Sequence, residues 1–330
     1  MTAIFNKSNL EYVKADVPET YLQGQTHVGI EYVDNGYLGY TYWLSASPYA
    51  NFNVNWENPC VYYANERDGG LPPINFTPHV QNPFQTRPPA IGDILPINSD
   101  PAMLYIESKN EMVIINRATG SIDPDNEIFN GDVINYQKVP SLLDKTEVNI
   151  LYTGYEATEI GSRPMLSPSL IEVGGKIRSY HLSVSNGVCF GLSVMEADSI
   201  DGRKFKRLPN GSMFGGNIEP WHLDVFQHGG KFYSIVCGND WSVAGENKPL
   251  KLYLAESSNG FDFYIYKRPL LSANSYRSSA FVRGDGMFIM YASVVDTDYL
   301  QDPIYSVDGR EILLGYMDFN ELLGMLQTNV

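Results

Sequence analysis

The sequence has few cysteines, little positive charge and no long apolar run. Its 330 residues carry 23 Lys and Arg against 38 Asp and Glu, a formal net charge of −15. Such a charge repels a nucleic-acid phosphate backbone, so we expect no nucleic-acid partner. No stretch approaches the roughly 18 apolar residues of a membrane span, so we expect no membrane insertion.

The three cysteines and the first residues bear on the cellular compartment. Cys60, Cys189 and Cys237 are odd in number and stand in apolar or aromatic surroundings, which is typical of buried thiols rather than of a disulfide framework. The chain starts Met1-Thr2-Ala3-Ile4-Phe5-Asn6, without the apolar core of a secretory signal. We therefore expect a protein that is not exported through a signal peptide.

Aromatic residues and glycine are abundant, and they recur in one pattern. The chain holds 23 Tyr, 15 Phe and 4 Trp beside 29 Gly, a mixture that favours strands and turns. An apolar strand, a Gly, Asn or Asp turn and a second strand rich in aromatic and β-branched residues occur five times, the signature of a β-hairpin. The five hairpins have equivalent positions near the start of their first strands, at His27, Asp100, Ser167, His222 and Arg277.

The recurrence predicts an all-β, five-bladed β-propeller in a single domain. The predicted blades lie near residues 26–90, 98–160, 166–215, 220–270 and 276–318. Only a short helix-like segment follows the last of them, so we expect the N-terminal strand around Leu10–Val13 to complete that blade. Two stacked β-sandwiches are the alternative, but they predict no fivefold recurrence of one hairpin.

In a propeller the first strands of all blades line a central channel, so residues at their starts converge on one site. The predicted substrate-binding residues are of mixed polar and aromatic type: His27, Trp221, His222, Asp224, Tyr276 and Arg277. A structural alternative stays open, because buried charges need partners and Asp100 could pair with Arg277 without any chemistry.

Two short motifs carry a family resemblance. Ser99-Asp100-Pro101, Ser167-Pro168-Ser169 and the five-blade plan resemble the arabinanase, levansucrase and invertase superfamily of glycoside hydrolases, family 43 and its relatives. The resemblance implies a sugar at the channel mouth, cut by a carboxylate base on the first blade and an acid on a middle blade, with an orienting Asp on the second. Asp100 matches the orienting Asp, whereas His27 stands where the base is expected and Ser167 has no neighbouring Glu. The implied triad is therefore incomplete.

A non-standard catalytic pair remains, with Asp100 as base or orienting group and Glu219 as acid. An indole such as Trp221 beside Glu219 would raise the pKa of that carboxyl, as a general acid needs, although Glu219 could equally cap a loop. The resemblance also implies an axial ion, such as Ca²⁺, with His222 as a candidate ligand. Arg277 resembles the cations that grip sugar hydroxyls or a sugar carboxylate in such sites.

Two functions follow from these residues. The first is a glycoside hydrolase-like propeller that recognises, and in its active form cleaves, a polysaccharide at the channel mouth. The alternative is a catalytically inactive structural or adhesive propeller inside a larger protein assembly, for example the tail or head of a phage virion. The missing carboxylates favour this pseudoenzyme. The predicted location is accordingly the cytoplasm or a virion.

Overall fold

Strands dominate the computed structural model of this chain. It describes residues 2–15, 25–48, 60–79, 102–119, 132–138, 151–153, 165–185, 188–197, 205–209, 211–240, 250–272, 274–295 and 310–327. The strands in chain order are β1 Glu11–Tyr12, β2 Lys14–Ala15, β3 Gln25–Tyr37, β4 Tyr40–Pro48, β5 Cys60–Ala64, β6 Asn75–Pro78, β7 Ala102–Ile106, β8 Glu111–Thr119, β9 Asp132–Lys138, β10 Leu151–Thr153, β11 Met165–Val173, β12 Lys176–Ser185, β13 Val188–Ala197, β14 Phe205–Arg207, β15 Ser212–Phe214, β16 Ile218–His228, β17 Lys231–Asp240, β18 Lys251–Ser257, β19 Asp262–Ile265, β20 Ser279–Val282, β21 Met287–Val295 and β22 Arg310–Asp318. A helix, α1, spans Phe319–Gln327.

Within the described residues these strands form five separate sheets. Their strand orders are β2-β6-β5-β4-β3 in sheet 1, β10-β9-β8-β7 in sheet 2, β11-β12-β13-β14 in sheet 3, β15-β19-β18-β17-β16 in sheet 4 and β1-β22-β21-β20 in sheet 5. Each sheet starts with an antiparallel hairpin in which the first strand pairs with the next one along the chain. The five hairpins predicted from the sequence are confirmed.

The first strands of the sheets lie side by side around a common centre. Strand β3 contacts β7, β7 contacts β11, β11 contacts β16, β16 contacts β20, and β20 contacts β3 again. Each first strand thus has a neighbour from the sheet before it and one from the sheet after it. The fold is all-β and propeller-like.

The N-terminal segment joins two sheets. Strand β1 pairs with β22, Glu11 opposite Leu314, which confirms the prediction that the N-terminus adds the outer strand of the last sheet. Strand β2 pairs in parallel with β6 of sheet 1. A bidentate ion pair holds the segment in place, since Arg67 Nη1 and Nη2 lie 2.7 and 2.9 Å from the Glu11 carboxylate oxygens.

The apolar core is divided among the spaces between neighbouring sheets. One cluster packs Phe226 of sheet 4 against Phe288 of sheet 5 and Phe319 of α1, and another packs Tyr42 of sheet 1 against Tyr291 of sheet 5. Trp43, fully buried, packs with Met103 between sheets 1 and 2. Large aromatic side chains fill these wedge-shaped spaces, which accounts for their abundance in the sequence.

Cys237 behaves as the sequence predicts. It is buried, its thiol lies 3.3 Å from the Ser275 carbonyl oxygen, and burial raises the pKa of the thiol. The side chains of Cys60 and Cys189 lie outside the described residues. No helix in the described part of the chain is long and apolar enough to cross a bilayer.

Candidate functional site

Three of the first strands have a β-bulge close to their starts. The pairing register shifts between Thr26 and Gly29 in β3, between Leu166 and Ser169 in β11, and between Pro220 and His222 in β16. A bulge inserts an extra residue and redirects the side chains beside it, which is why bulges often lie next to active sites. We call the end of the central space where the five first strands begin the mouth.

His27 sits on the first of these bulges in an unusual backbone conformation. Its φ is 55°, in the left-handed region that costs a residue with a Cβ about 1–2 kcal/mol. The bulge also joins two sheets, because the backbone N–H of Val28 donates to the Arg277 carbonyl oxygen at 3.2 Å. In this position His27 is buried, with 2% of its surface exposed.

Two imidazoles and a phenol meet at the mouth. The ring centroids of His27 and His222 lie 5.5 Å apart, and both rings contact the Tyr276 ring, at 5.0 and 4.3 Å. Trp221 lies edge-on to His222 with 6.4 Å between the centroids, and the side chains of Trp221 and Tyr276 are partly exposed. We call His27, His222 and Tyr276 the imidazole cluster. It brings together sheets 1, 4 and 5, as the sequence predicted for these three residues.

The backbone around Tyr276 is fixed by hydrogen bonds on both sides. The Tyr276 N–H donates to the Ser293 carbonyl at 2.9 Å, and the Ser278 hydroxyl donates to the Tyr276 carbonyl at 3.0 Å. The same Ser278 hydroxyl accepts the Ser293 N–H at 3.0 Å. The phenol of the imidazole cluster is therefore carried by a rigid segment rather than by a free loop.

Arg277, the next residue, is fully buried. Its Nη2 donates to the Pro168 carbonyl oxygen at 2.5 Å, so the guanidinium bridges sheets 5 and 3. Its positive charge also acts on the Asp224 carboxylate. In the structure this arginine holds strands together beneath the mouth, and its contact with a ligand stays a prediction.

Asp224 is the hub of a polar network among the first strands. Its Oδ1 accepts the Ser169 hydroxyl at 3.0 Å, and its Oδ2 accepts the Ser279 hydroxyl at 2.5 Å. The Ser169 oxygen in turn accepts the Val225 N–H at 2.7 Å, and the Ser279 oxygen accepts the Ile30 N–H at 3.2 Å. Removal from water raises the pKa of Asp224, while the Arg277 charge and the two hydroxyls oppose that rise.

Glu31 completes this network, and the sequence reasoning missed it. Burial raises the pKa of Glu31 well above its ordinary range, the charge of Asp224 adds to the rise, and a hydrogen bond from the Tyr105 backbone N–H opposes it. Asp224 and Glu31 together connect the first strands of all five sheets. The available signal was a lone charge in the otherwise apolar first strand, Val28-Gly29-Ile30-Glu31-Tyr32.

These two carboxyls line a central cavity of about 330 Å³. Its wall comes from the first strands of all five sheets, and it extends away from the mouth to Tyr32, Glu107 and Glu172 near the hairpin turns. We call that end the turn end. Glu172 pairs with Ile177, one residue pair before the Gly174–Gly175 turn.

The remaining predicted residues divide into two groups. Glu219 is the second residue of β16 and pairs with Asn239. It lies three residues before His222, at the end of β16 that faces the mouth. Asp100 and the side chain of Ser167 lie outside the described residues, so the predicted Asp100–Glu219 pair stays a prediction. Among the described residues no three His, Cys, Asp or Glu side chains are grouped as metal ligands, and the axial ion with His222 also stays a prediction.

Comparison of the sequence with protein-family models and with curated proteins yields no match. Solved structures do resemble the chain. An N-acetylgalactosamine deacetylase from F. plautii, in complex with blood group B trisaccharide, superposes with a TM-score of 0.69 at 18% identity and covers 97% of this chain and 98% of its own. A family-43 β-1,3-galactosidase bound to galactodeoxynojirimycin gives 0.56 at 12% identity, covering 92% and 93%. The likeness is one of fold.

A third neighbour extends the range of activities on this fold. The α-L-arabinanase of Penicillium chrysogenum, complexed with arabinobiose, superposes with a TM-score of 0.51 at 10% identity and covers 92% of this chain and 96% of its own. The neighbours are thus carbohydrate-processing propellers of the glycoside hydrolase family 43 type and a sugar deacetylase. One architecture carries both kinds of chemistry, so the likeness of fold does not identify an activity for this chain.

Proposed function

We propose that this protein binds a carbohydrate at the mouth and hydrolyses an N-acetyl group of the bound sugar with the imidazole cluster. The partly exposed rings of Trp221 and Tyr276 offer stacking faces for a sugar ring. The two imidazoles supply the acid and the base. The partner class, a carbohydrate, is the one that the solved neighbours act on or bind.

The observation that carries the proposal is the strained backbone of His27. A residue with a Cβ in the left-handed region persists only where the surroundings enforce it, and such strain clusters at functional sites. Here the strain places an imidazole against a second imidazole and a phenol from two other sheets. Packing alone would be served as well by an apolar residue in an ordinary strand.

The chemistry suits an amide better than a glycosidic bond. A water molecule would attack the acetyl carbonyl carbon while one imidazole takes its proton, and the second, protonated imidazole would give a proton to the nitrogen as the C–N bond breaks. The products are acetate and a free amino sugar. The Tyr276 hydroxyl is suited to stabilise the negative charge on the carbonyl oxygen during the attack. The fold of the F. plautii deacetylase, with its high TM-score, supports this reading.

Glycosidic cleavage is the second candidate, and Glu219 at the mouth favours it. That reaction needs two carboxyls about 5 Å or 6.5–9.5 Å apart. Asp224 is engaged by two serine hydroxyls, so the partner of Glu219 would have to be Asp100, as the sequence predicted. A binding protein without turnover, whether adhesive or part of a virion, is the remaining alternative and stays a prediction.

We also infer that the five sheets are five blades of one propeller. The closed sequence of contacts among β3, β7, β11, β16 and β20 supports this count, as does the network of Asp224 and Glu31 that spans the same five strands. A ring of this kind explains why residues from positions 27, 222 and 276 can share one site.

The experiment measures one product from each of two sets of substrates. Wild type is incubated with N-acetylated oligosaccharides for release of acetate, and with nitrophenyl glycosides for release of nitrophenol, after a glycan array has identified ligands. The test variants are His222→Gln and His27→Asn, because Asn tolerates the left-handed backbone. His228→Gln is the matched control, since His228 lies at the opposite end of the same strand.

We expect acetate release that falls about 100-fold or more in both test variants, the usual contribution of general acid–base catalysis, and is unchanged in the control. Release of nitrophenol that depends on Glu219 and Asp100 would instead establish glycosidic cleavage. Binding without either product would establish the non-catalytic alternative. Neither binding nor product, or full activity in both test variants, would overturn the proposal.

A further inference from the structure

A second groove, of about 400 Å³, opens on sheet 4 beside the mouth. Its lining includes Gly216, Asp240, Lys251 and Lys267. None of them belongs to the imidazole cluster or to the central cavity. The groove is therefore a separate feature of the same face.

Strand direction places this groove next to the mouth. Strand β16 begins at Ile218, opposite Asp240, where β17 ends, and Gly238 near that end pairs with Lys251, where β18 begins. Because neighbouring strands are antiparallel, these three termini lie at one end of sheet 4. His222 of the imidazole cluster is four residues into β16 from that same end.

The segment that carries Lys267 returns to this end as well. Strand β19 runs antiparallel to β18, and beyond it the Tyr266 N–H bonds to the Leu254 carbonyl and the Leu270 N–H bonds to the Leu252 carbonyl. Lys267 lies between these two contacts, alongside the start of β18. The two lysines thus approach the groove from adjacent stretches of backbone.

The groove has an excess of positive charge in a strongly acidic protein. Its charged lining residues are Lys251, Lys267 and Asp240. Neither lysine forms an ion pair or a side-chain hydrogen bond with any other described residue, whereas Lys176 and Lys231 of sheets 3 and 4 are both paired with glutamates. Gly216, with φ of 64° and open space where a Cβ would be, leaves the rim of the groove unobstructed. Two such ammonium groups suit a carboxylate, sulfate or phosphate.

The net charge of −15 limits which anion can occupy the groove. At long range the protein repels free anions, so two ammonium groups alone would recruit a small anion poorly. An anion attached to a sugar already held at the mouth escapes this limit, because the second contact is then intramolecular and has a high effective concentration.

We propose that this groove binds the anionic substituent of a carbohydrate whose neighbouring sugar occupies the mouth. The inference rests on the proposed function and narrows its substrate class to acidic oligosaccharides. Lys251 and Lys267 contact the anion.

Matched oligosaccharides separate charge from sugar recognition. The probes are a chondroitin tetrasaccharide, its carboxyl-reduced neutral derivative and its 4-sulfated form, each titrated by calorimetry into wild type. The variants are Lys251→Gln, Lys267→Gln and the double variant. Lys231→Gln is the control, because Lys231 lies at the opposite end of sheet 4.

Wild type and the control should bind at least one anionic form about tenfold more tightly than the neutral form, a preference that falls as salt is raised. The double variant should bind all three alike, at the affinity of the neutral probe. If the unsulfated tetrasaccharide already shows the preference over the neutral form, the groove recognises the carboxylate. If only the 4-sulfated form shows it, the groove recognises the sulfate. A preference that survives in the double variant, or no preference in wild type, overturns the groove proposal.

The same titrations keep the two proposals apart. If Trp221→Ala leaves binding of the neutral probe unchanged, the mouth proposal fails regardless of the lysines. If Trp221→Ala abolishes neutral binding and the lysine variants change nothing, the mouth stands and the groove proposal fails. Absence of binding by all three probes overturns the groove proposal for this substrate class.

Discussion

The left-handed backbone of His27 can be tested by comparing two substitutions that both remove the imidazole. His27→Gly and His27→Ala differ only in the Cβ atom. At φ of 55° a Cβ costs about 1–2 kcal/mol, and glycine avoids this cost. Glycine loses about 0.5–1 kcal/mol more backbone entropy than alanine on folding. The balance favours His27→Gly by about 0.5–1 kcal/mol.

The sign of this difference is diagnostic, because ordinary strand positions give the reverse. Tyr264, exposed in β19 and without positive φ, serves as the reference. There the alanine variant should be the more stable by about 0.5–1 kcal/mol. Urea unfolding followed by circular dichroism gives both comparisons, and equal slopes of the transitions show that midpoints can be compared.

Both His27 variants should lose turnover to the same extent, since both lack the ring. If His27→Ala proves more stable than His27→Gly, as at Tyr264, the backbone at this position is not left-handed in solution. The His27 backbone would then be unstrained, and it would no longer point to a functional site.

Three further outcomes are expected. Because the pKa of Glu31 is raised, its contribution to stability is full below about pH 4.5 and is lost as the pH rises. Glu31→Gln should therefore lessen the decline of the unfolding free energy above pH 5, by at most about 1.4 kcal/mol per pH unit. A decline that is the same in wild type and in the variant would contradict this. Gly211→Ala would push a Cβ against the Phe261 carbonyl oxygen and should cost about 1–3 kcal/mol, whereas Gly284→Ala meets open space and should cost little; equal urea midpoints would be evidence against the clash. Gly324→Ala in α1 also meets open space and should stabilise the protein by about 0.5–1 kcal/mol, because alanine favours a helix over glycine. The thermal midpoint should rise, and an unchanged midpoint would contradict a helix at this position.

Much of the fold could be predicted because its signals are local. The turn residues and alternating strands of each hairpin are adjacent in sequence, so the pairings β3–β4 and β16–β17 followed directly. The parallel pairings of β2 with β6 and of β15 with β19 were not predicted. They join segments about 50–60 residues apart, and such short edge strands leave no local pattern.

The site was predicted in part, for a similar reason. Equivalent positions in the repeats placed His27 and His222 near one another, and their ring centroids lie 5.5 Å apart; Tyr276 was expected beside them only as the neighbour of Arg277. The bulges that aim these rings leave no signal in composition, and a histidine at positive φ looks like any other strand residue. Glu31 was missed because its importance comes from Asp224, a partner nearly two hundred residues away.

Carbohydrate binding at the mouth is tested most directly by a crystal structure of wild type with the tightest-binding oligosaccharide from the glycan array. We predict a sugar ring against Trp221 and Tyr276, with an acetyl group within hydrogen-bond distance of the His27 or His222 imidazole. A sugar bound at the turn end, against Tyr32 and Glu172, or on an outer strand with the imidazole cluster unoccupied, would contradict it.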